Sequence, residues 1–261
     1  MHTTAHSPTN DVNPSITLAS PLTWLKAGWA DLRRNPVPGL LHGLVLAAFG
    51  MALLWLARDQ FWLLAGAFSG FLIVAPILAT GLYHVSRACA TGRCAGMAEV
   101  LALWRSRDQR LVRFGALLAL AGTGWVLCSA GFITVWSDVP IRKPMDFLQH
   151  VVLNPQIGLF EVWVLLGALL AAPVFASSVV ALPMLVDTTA SVQTAVTESW
   201  RTVANYPLLM AVWAMVIAGL AGLGMLTGMV GLVVVVPWLA HSSWHAYCDL
   251  TRRTADTPSA T

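Results

Sequence analysis

The sequence predicts an all-α, polytopic membrane protein with six transmembrane helices, arranged as three hairpins that each follow an interfacial amphipathic helix. Three observations support this class. The 261 residues are 57% hydrophobic and only 10% charged, whereas soluble domains carry about 25% charged residues. Apolar stretches long enough to cross a hydrocarbon core of about 30 Å recur along the chain. Lys and Arg collect in alternate loops.

The apolar stretches predict where the spans lie. The first four predicted spans are residues 38–57, 61–83, 114–136 and 159–185. The last stretch, 207–244, contains no charged residue. As one helix it would be about 57 Å long at 1.5 Å per residue, so it is predicted to hold two spans. Because glycine tolerates positive φ, the tight turn is expected within a glycine cluster: Gly219, Gly222, Gly224 and Gly228.

The distribution of Lys and Arg predicts the orientation. Twelve of the fifteen basic residues fall on one side of these spans, and only Arg58, Arg142 and Lys143 fall on the other. Basic loops stay in the cytoplasm, so both termini are predicted to be cytoplasmic, in a bacterial cytoplasmic (inner) membrane. Residues 1–19 and 251–261 are predicted to be disordered tails around a single membrane domain, 20–250. A belt of tryptophans is expected at the outer ends of the spans: Trp55, Trp62, Trp136 and Trp163.

An internal repeat is predicted, with units of about 20–95, 96–190 and 191–250. Residues 70–84 and 231–245 align without a gap, with Gly, Val, Pro, Leu, Ala and His identical in register. Each unit begins with apolar residues at helical spacing, which predicts an amphipathic helix: Leu22, Leu25, Trp29 and Leu32, then Val100, Trp104 and Leu111, then Val192, Val196, Trp200 and Val203. Two spans return the chain to its starting side, so the predicted symmetry is a parallel pseudo-threefold about the membrane normal.

The end of the last span carries the candidate metal site. His241, His245 and Asp249 are four residues apart and share one helix face. Two histidines at this spacing can hold a metal ion, and imidazole also ligates haem. His84 is the repeat equivalent of His245 and completes the candidate set. The alternative interpretation is that these are interfacial side chains with one end in water. No other cofactor is indicated.

Three ionisable residues are candidate polar sites within or near the spans. Glu161 and His42 fall inside predicted spans, close to the ends, and Asp249 follows the last span. Ionisable groups at membrane depth mark functional sites by default. Near a span end, however, such a side chain can also reach the interface.

Several stretches resemble an uncharacterised family of bacterial integral membrane proteins. The similarity lies in residues 28–32 (GWADL), 70–83 (GFLIVAPILATGLY), 182–187 (LPMLVD) and 241–250 (HSSWHAYCDL), and extends over residues 22–250. Some members are labelled cytochrome c oxidase subunits, which implies an accessory place in a respiratory complex. Catalysis is not implied, because the seven histidines lie in the tail, in the outer loop or near span ends.

Three functions are compatible with the sequence. No catalytic motif stands out, so the chain is predicted not to be an enzyme but a scaffold, assembly factor or accessory subunit, with other membrane proteins as partners. A transporter or channel for a small or lipidic solute is the first alternative. It would need a cavity lined by hydroxyls: Ser69, Thr80, Thr123, Ser129, Ser177 or Ser178. A haem- or metal-binding accessory respiratory protein is the second. The arginines of residues 105–113 favour anionic lipid headgroups, at about 1 kcal/mol each, over nucleic acid.

Overall fold

A computed structural model describes residues 16–56, 58–106, 108–137, 139–153 and 158–251, with the backbone alone for residues 67–77. This part of the chain is helical and has no strand, which confirms the all-α class. A π-helical turn, Leu148–Val152, follows the sixth helix. The helices, in chain order, are α1 Ser20–Arg34, α2 Pro36–Leu56, α3 Phe61–Ala90, α4 Met97–Arg105, α5 Gln109–Trp136, α6 Pro144–Phe147, α7 Leu159–Ser178, α8 Ala181–Asp187, α9 Val192–Asn205, α10 Pro207–Leu226 and α11 Leu232–Thr251.

Four helical stretches of the described residues are long and apolar enough to cross a membrane: Pro36–Leu56, Gln109–Trp136, Leu159–Asp187 and Pro207–Leu226. They correspond to the first, third, fourth and fifth predicted spans. The second and sixth predicted spans fall on α3, which has 30 residues, and α11, which has 20. At 1.5 Å per residue these helices are about 45 and 30 Å long.

The fourth predicted span is divided into two helices. Helix α7 ends at Ser178, and α8 begins at Ala181. Pro183 has no N–H to donate to the carbonyl of Val179, and its ring crowds that carbonyl, so proline disfavours regular helical bonding at this point. The backbone N–H of Val180 donates instead to Oγ of Ser199, at 3.1 Å, from α9.

The turn between α10 and α11 lies at the end of the predicted glycine cluster. Gly228 and Met229 adopt the left-handed backbone, with φ of 65° and 72°. The other three glycines lie within α10. Gly224 lets the two helices approach closely, because a Cβ there would lie 2.8 Å from Leu232 Cδ2. Only the last glycine of the cluster therefore serves the predicted turn.

Each short helix packs against a long helix of the preceding unit. Helix α1 crosses α11 where Gly28 meets Ser242, and a Cβ on Gly28 would lie 2.5 Å from the Ser242 backbone nitrogen. Helix α4 packs on α3, where a Cβ on Gly81 would lie 2.6 Å from Val100 Cγ1. Helix α9 packs on α7 and α8. The three contacts close a ring, since α1 of the first unit meets α11 of the third.

The last helices of the three units, α3, α8 and α11, meet at the centre of this ring. Their large apolar side chains fill the middle of the bundle at the end where α1, α4 and α9 lie. The buried members of this core are Leu82, Tyr83, Leu182, Leu185, Trp244 and Tyr247.

The buried faces of the short helices differ from the predicted ones. Helix α1 buries Trp24, Gly28 and Leu32 against the bundle, whereas Leu22 and Trp29 are 61% and 39% exposed. The periodicity identified a helix but not the face that contacts protein, because glycine carries no hydrophobic signal. In the second unit, α4 ends at Arg105, so the predicted face is split and Leu111 belongs to α5.

The opposite end of the bundle is covered by aromatic side chains. Phe61 stacks on Phe147 with ring centroids 5.0 Å apart, and the Phe61 N–H donates to the carbonyl of Arg142 at 2.8 Å. Trp163 donates to Ser129 Oγ at 2.7 Å. Trp55 and Trp136 are exposed at this end, as expected of an aromatic belt.

The predicted tails lie mostly outside the described residues. Of the first tail, residues 16–19 are described, and Ile16 packs against the cluster of Trp24 and Trp213. Of the second tail, Thr251 is described as the last residue of α11.

Candidate functional site

A partly buried polar cluster joins α1, α3 and α11 at the end of the bundle that holds the short helices. Asp31 Oδ2 accepts a hydrogen bond from Ser86 Oγ at 2.7 Å and lies 2.9 Å from His245 Nε2. Ser86 Oγ also lies 2.7 Å from His241 Nδ1. We call Asp31, Ser86, His241 and His245 the histidine cluster. It links three helices that are distant in sequence through a single carboxylate.

The hydroxyl of Ser86 determines the tautomer of His241. Ser86 has one hydrogen, which it donates to Asp31. The bond between Ser86 Oγ and His241 Nδ1 must therefore have Nδ1–H as its donor. In the neutral ring this leaves Nε2 as a bare acceptor. His241 is fully buried, and its Nε2 has no hydrogen-bond partner among the described residues.

Close packing of α1 on α11 positions the cluster. Gly28 brings the two helix backbones together one turn before Asp31. Trp24 Nε1 donates to Asp249 at 2.8 Å on one side of this crossing. Trp238 Nε1 donates to the carbonyl of Leu25 at 2.8 Å on the other side. These tryptophan bonds fix α1 in place, so the carboxylate of Asp31 is held at the cluster.

The environment of Asp31 favours its charged form. Burial raises the pKa of the Asp31 carboxyl, but the hydrogen bonds with His245 and Ser86 and the electrostatic effects of His245 and His241 together lower the pKa from its ordinary value of 3.8. A carboxyl with a lowered pKa stabilises the fold above its unfolded-state pKa, and this contribution disappears as the pH falls through the folded-state pKa.

A pH dependence follows from this carboxylate. The wild type is expected to be more stable than D31N at pH 7, and this difference should shrink as the pH falls below 3.8, because the carboxyl then becomes protonated. Thermal unfolding of both proteins in detergent between pH 7 and pH 2.5 measures it. A difference that stayed constant down to pH 2.5 would contradict the charged state assigned to Asp31.

His42 lies beside this cluster on α2. It is buried, and its Nδ1 is 2.6 Å from the carbonyl of Pro38. Its ring meets Trp104 of α4 edge to face, with centroids 5.2 Å apart. The Nε2 of His42 also has no hydrogen-bond partner within the described part of the chain. The predicted polar candidate is thus an interior side chain and does not reach the interface.

A second polar group caps the end of α8. Arg110 donates to the carbonyls of Thr188 and Ala190, both at 2.9 Å, and is paired with Asp108 at 2.6 Å. Arg87 pairs with Asp187 at 3.2 Å, and Tyr247 donates to the same carboxylate at 2.9 Å. Cations at a helix C-terminus satisfy its free carbonyls and oppose its dipole. This group therefore fixes the broken fourth span.

Replacing Arg110 by methionine is expected to lower the free energy of unfolding by about 2 kcal/mol, because its charged hydrogen bonds to the carbonyls of Leu185, Thr188 and Ala190 disappear. R113M is the matched control. Arg113 is exposed and bonds only weakly to Gln109, at 3.4 Å, so its replacement should cost less than about 0.5 kcal/mol. Denaturant unfolding in mixed micelles compares the two variants. Equal losses in the free energy of unfolding would contradict the role of Arg110 as the cap of α8.

The predicted metal ligands do not converge. His241 and His245 both join the histidine cluster, but His84 lies with Glu99 of α4, at 3.5 Å. Among the residues that the structure describes, no group of three His, Cys, Asp or Glu side chains is placed to hold a metal ion. Haem or metal ligation by this set of three therefore gains no support from the geometry and stays a prediction.

The other predicted polar residues have local roles. Glu161 Oε2 accepts the N–H of Gly158 at 3.0 Å and so caps the start of α7. Asp249 accepts from Trp24. The hydroxyls proposed for a solute cavity bond elsewhere: Thr123 to Ala119, Ser129 to Trp163, Ser177 to Trp200 and Ser178 to Val174. The side chain of Ser69 lies outside the described residues.

Sequence reasoning missed Asp31, Ser86, Arg87 and Arg110 as site residues. Asp31 is not among the apolar positions that predict the first amphipathic helix, and Ser86 follows a predicted span without any motif. The available signal was the GWADL stretch, in which a glycine precedes an acidic residue by one helical turn. Small residues at such positions allow close helix contact in membranes.

Long apolar helices, joined by polar clusters at one end, define this chain as an integral membrane protein. Residues 63–187, just under half of the chain, match the family described as "Predicted integral membrane protein (DUF2189)". This match confirms the resemblance to an uncharacterised membrane family. The respiratory label carried by some members stays a prediction. No curated protein and no solved structure matches the chain.

Proposed function

We propose that this protein is a non-catalytic scaffold, assembly factor or accessory subunit, with six spans in the bacterial cytoplasmic membrane. The lengths of α3 and α11 support the two spans beyond the four most apolar helices. The first and third units each consist of one short helix and two long ones, and the second unit follows the same order with α6 and the π-helical turn inserted and its last helix divided into α7 and α8. Together with the closed ring of contacts made by α1, α4 and α9, this order supports the parallel pseudo-threefold repeat.

The orientation of the protein in the membrane is proposed from the positions of its basic side chains. Exposed basic side chains surround the end that holds the histidine cluster, among them Lys26, Arg33, Arg34, Arg113 and Arg201. Because such residues remain on the cytoplasmic side, this end and both chain termini face the cytoplasm. The same side chains would meet anionic lipid headgroups of the inner leaflet.

The observation that carries the scaffold proposal is the exposed flank of α7. Of its 20 residues only Ala176 is buried, and Leu165 and Leu169 are 67% and 68% exposed. The cytoplasmic end, by contrast, is locked by buried polar bonds. A bundle that is held together by polar bonds at one end and leaves one flank of a span without a partner helix offers an apolar surface to another transmembrane helix. Packing between helices drives such association in lipid.

Site-specific photo-crosslinking in native membranes tests this proposal. A photoreactive residue at position 165 or 169 is expected to give a discrete protein adduct. The matched control is position 45 on α2, where Val45 is 63% exposed but α2 packs against α11, and it should give lipid adducts alone. Lipid adducts at all three positions, or solute flux catalysed by the purified chain in liposomes, would contradict the proposal.

The transporter alternative has less support. Four of the six hydroxyls that it requires are bonded within or between helices. The centre of the bundle at its cytoplasmic end is filled by large apolar side chains. A solute path through this end would require those side chains to move.

A further inference from the structure

A cavity of about 470 Å³ lies beside the last turns of α3, outside the histidine cluster. Pockets that bind small ligands typically measure about 300–1,000 Å³. The wall of this cavity carries two guanidinium groups and an imidazole, and none of the described residues that line it is acidic. The lining residues are His84, Arg87, Ala88, Thr91 and Arg93. A wall of this composition favours anions over cations as ligands.

The way in which α3 ends brings these residues to one place. The four lining residues that precede Gly92 recur at spacings of three and four residues, so they share one face of the helix. Gly92 then adopts the left-handed backbone, with φ of 75°. The chain reverses there, and the N–H of Arg93 donates to the carbonyl of Ala88 at 3.0 Å, as in a Schellman motif. Arg93 is thereby held against the last turn of α3.

The end of α3 does not oppose an anion with unpaired carbonyls beside the cavity. The C-terminus of a helix is partly negative because its last carbonyls lack helical partners. The carbonyl of Ala88, however, accepts the N–H groups of Thr91 and Arg93 and the hydroxyl of Thr91. The carbonyl of Cys89 accepts the N–H of Gly92 at 3.0 Å. The guanidinium groups therefore dominate the charge of the cavity wall.

Both arginines keep N–H donors that no described protein group uses. Arg87 Nε pairs with Asp187 at 3.2 Å, and its Nη1 donates to the Val186 carbonyl at 3.1 Å, which leaves Nη2 without a partner in the described part of the chain. Arg93 Nη1 lies 3.9 Å from Glu99 Oε2, which is beyond hydrogen-bonding distance. The two arginine side chains are 47% and 65% exposed. Guanidinium groups with free donors match the oxygens of a phosphate group.

The level of the cavity in the membrane indicates where such a phosphate group comes from. With α3 as the second of the six proposed spans, His84 lies about 35 Å along the helix from Phe61, at 1.5 Å per residue. The hydrocarbon core is about 30 Å thick, and the headgroup layers extend the bilayer to about 40–45 Å. The cavity therefore lies at the level of the inner headgroups, where lipid phosphates and phosphate dissolved in the cytoplasm both occur.

We propose that this cavity binds one terminal phosphate group, which Arg87 and Arg93 hold through charge-assisted hydrogen bonds. A terminal phosphate has three acceptor oxygens, which is enough for both guanidinium groups. It belongs to an anionic lipid of the inner leaflet or to free phosphate, since the two share the same recognition chemistry. The site goes beyond the scaffold role and does not depend on it. Only the choice of a lipid as the source rests on the six proposed spans.

Isothermal titration calorimetry of the detergent-purified full chain with short-chain phosphatidate tests the proposal. The wild type should bind one equivalent. Phosphatidylcholine with the same chains should bind at least about tenfold more weakly, because its phosphate is not terminal and its choline cation is repelled by the arginines. R93Q should weaken phosphatidate binding by about 10- to 100-fold, since charge-assisted hydrogen bonds are lost.

R201Q is the matched control for R93Q. Arg201 is 71% exposed and lies 3.6 Å from Glu198, much as Arg93 lies beside Glu99, but it does not line the cavity. Its replacement should leave the affinity for phosphatidate unchanged. Equal weakening in R93Q and R201Q would mean that surface charge in general attracts the lipid, and this would overturn the proposal.

Inorganic phosphate, added as a competitor, distinguishes the two sources. Displacement of phosphatidate would identify free phosphate as a ligand of the same site, and a failure to displace it would assign the site to lipid. Arg93 is exposed, so R93Q keeps the test valid even if R87Q, which also loses the contact with Asp187, does not fold. A folded wild type that binds neither phosphatidate nor inorganic phosphate would overturn the proposal, whatever crosslinking at α7 shows.

Discussion

Replacing Asp31 by alanine is expected to lower the free energy of unfolding by about 3–5 kcal/mol, the largest loss of any single substitution considered. The carboxylate receives bonds from Ser86 and His245, and each hydrogen bond to a charged group contributes about 1.5–3 kcal/mol. D31A also leaves the buried Ser86 hydroxyl without the acceptor that orients His241. Unfolding of the purified protein in mixed detergent micelles gives the difference.

Asp59 supplies the control for this experiment. It pairs with Arg58 at 3.4 Å, but its side chain is 69% exposed. D59A should therefore lower the free energy of unfolding by no more than about 0.5–1 kcal/mol. In a double-mutant cycle, D31A and S86A should be strongly non-additive, since they remove the same bond. Additive losses, or equal losses for D31A and D59A, would show that the histidine cluster does not hold α1 on the bundle.

Replacing Gly43 by alanine is the second substitution that is expected to lower the free energy of unfolding strongly. A Cβ at this position would overlap the Val233 carbonyl group and would lie 2.6 Å from the carbonyl carbon. Backbone cannot move aside as a flexible side chain can, so α2 must separate from α11. Overpacking of this kind costs about 1–3 kcal/mol, and the same micelle unfolding experiment measures it.

Gly124→Ala is the matched control, and it should raise the free energy of unfolding rather than lower it. Gly124 lies within α5 and has no atom within 4 Å of its ideal Cβ position among the described residues. Alanine there removes only the conformational freedom of glycine, which should stabilise the helix by about 0.5–1 kcal/mol. A Gly43→Ala protein as stable as the control would mean that α2 and α11 are not in close contact.

Local sequence patterns predicted which segments are helical, but they did not predict every point at which a helix begins or ends. The apolar lengths located the four most apolar spans within a few residues, because burial in lipid requires about 20 apolar residues in a row. The break before α8 was not predicted. Pro183 lies inside the fourth predicted span, 159–185, whereas in the structure the helix that precedes it ends at Ser178.

The candidate site was predicted only in part. His42 and His241 were named from their positions in the spans, and the helical spacing of His241 and His245 was read correctly. The sequence could not show that His84 lies with Glu99 on the far side of α3, or that Asp31 reaches both His245 and Ser86. Those pairings join residues up to 214 positions apart, and no spacing rule extends so far.

Composition and periodicity by themselves determined that this chain is an integral membrane protein built of helices, because a lipid environment and helical hydrogen bonding act on each segment separately. Tertiary structure alone decided which faces of those helices meet. Gly28, Gly39, Gly43 and Gly81 permit the close contacts, yet glycine has no side chain and leaves no mark in a hydrophobic pattern. The histidine cluster exists because the fold brings α1, α3 and α11 together.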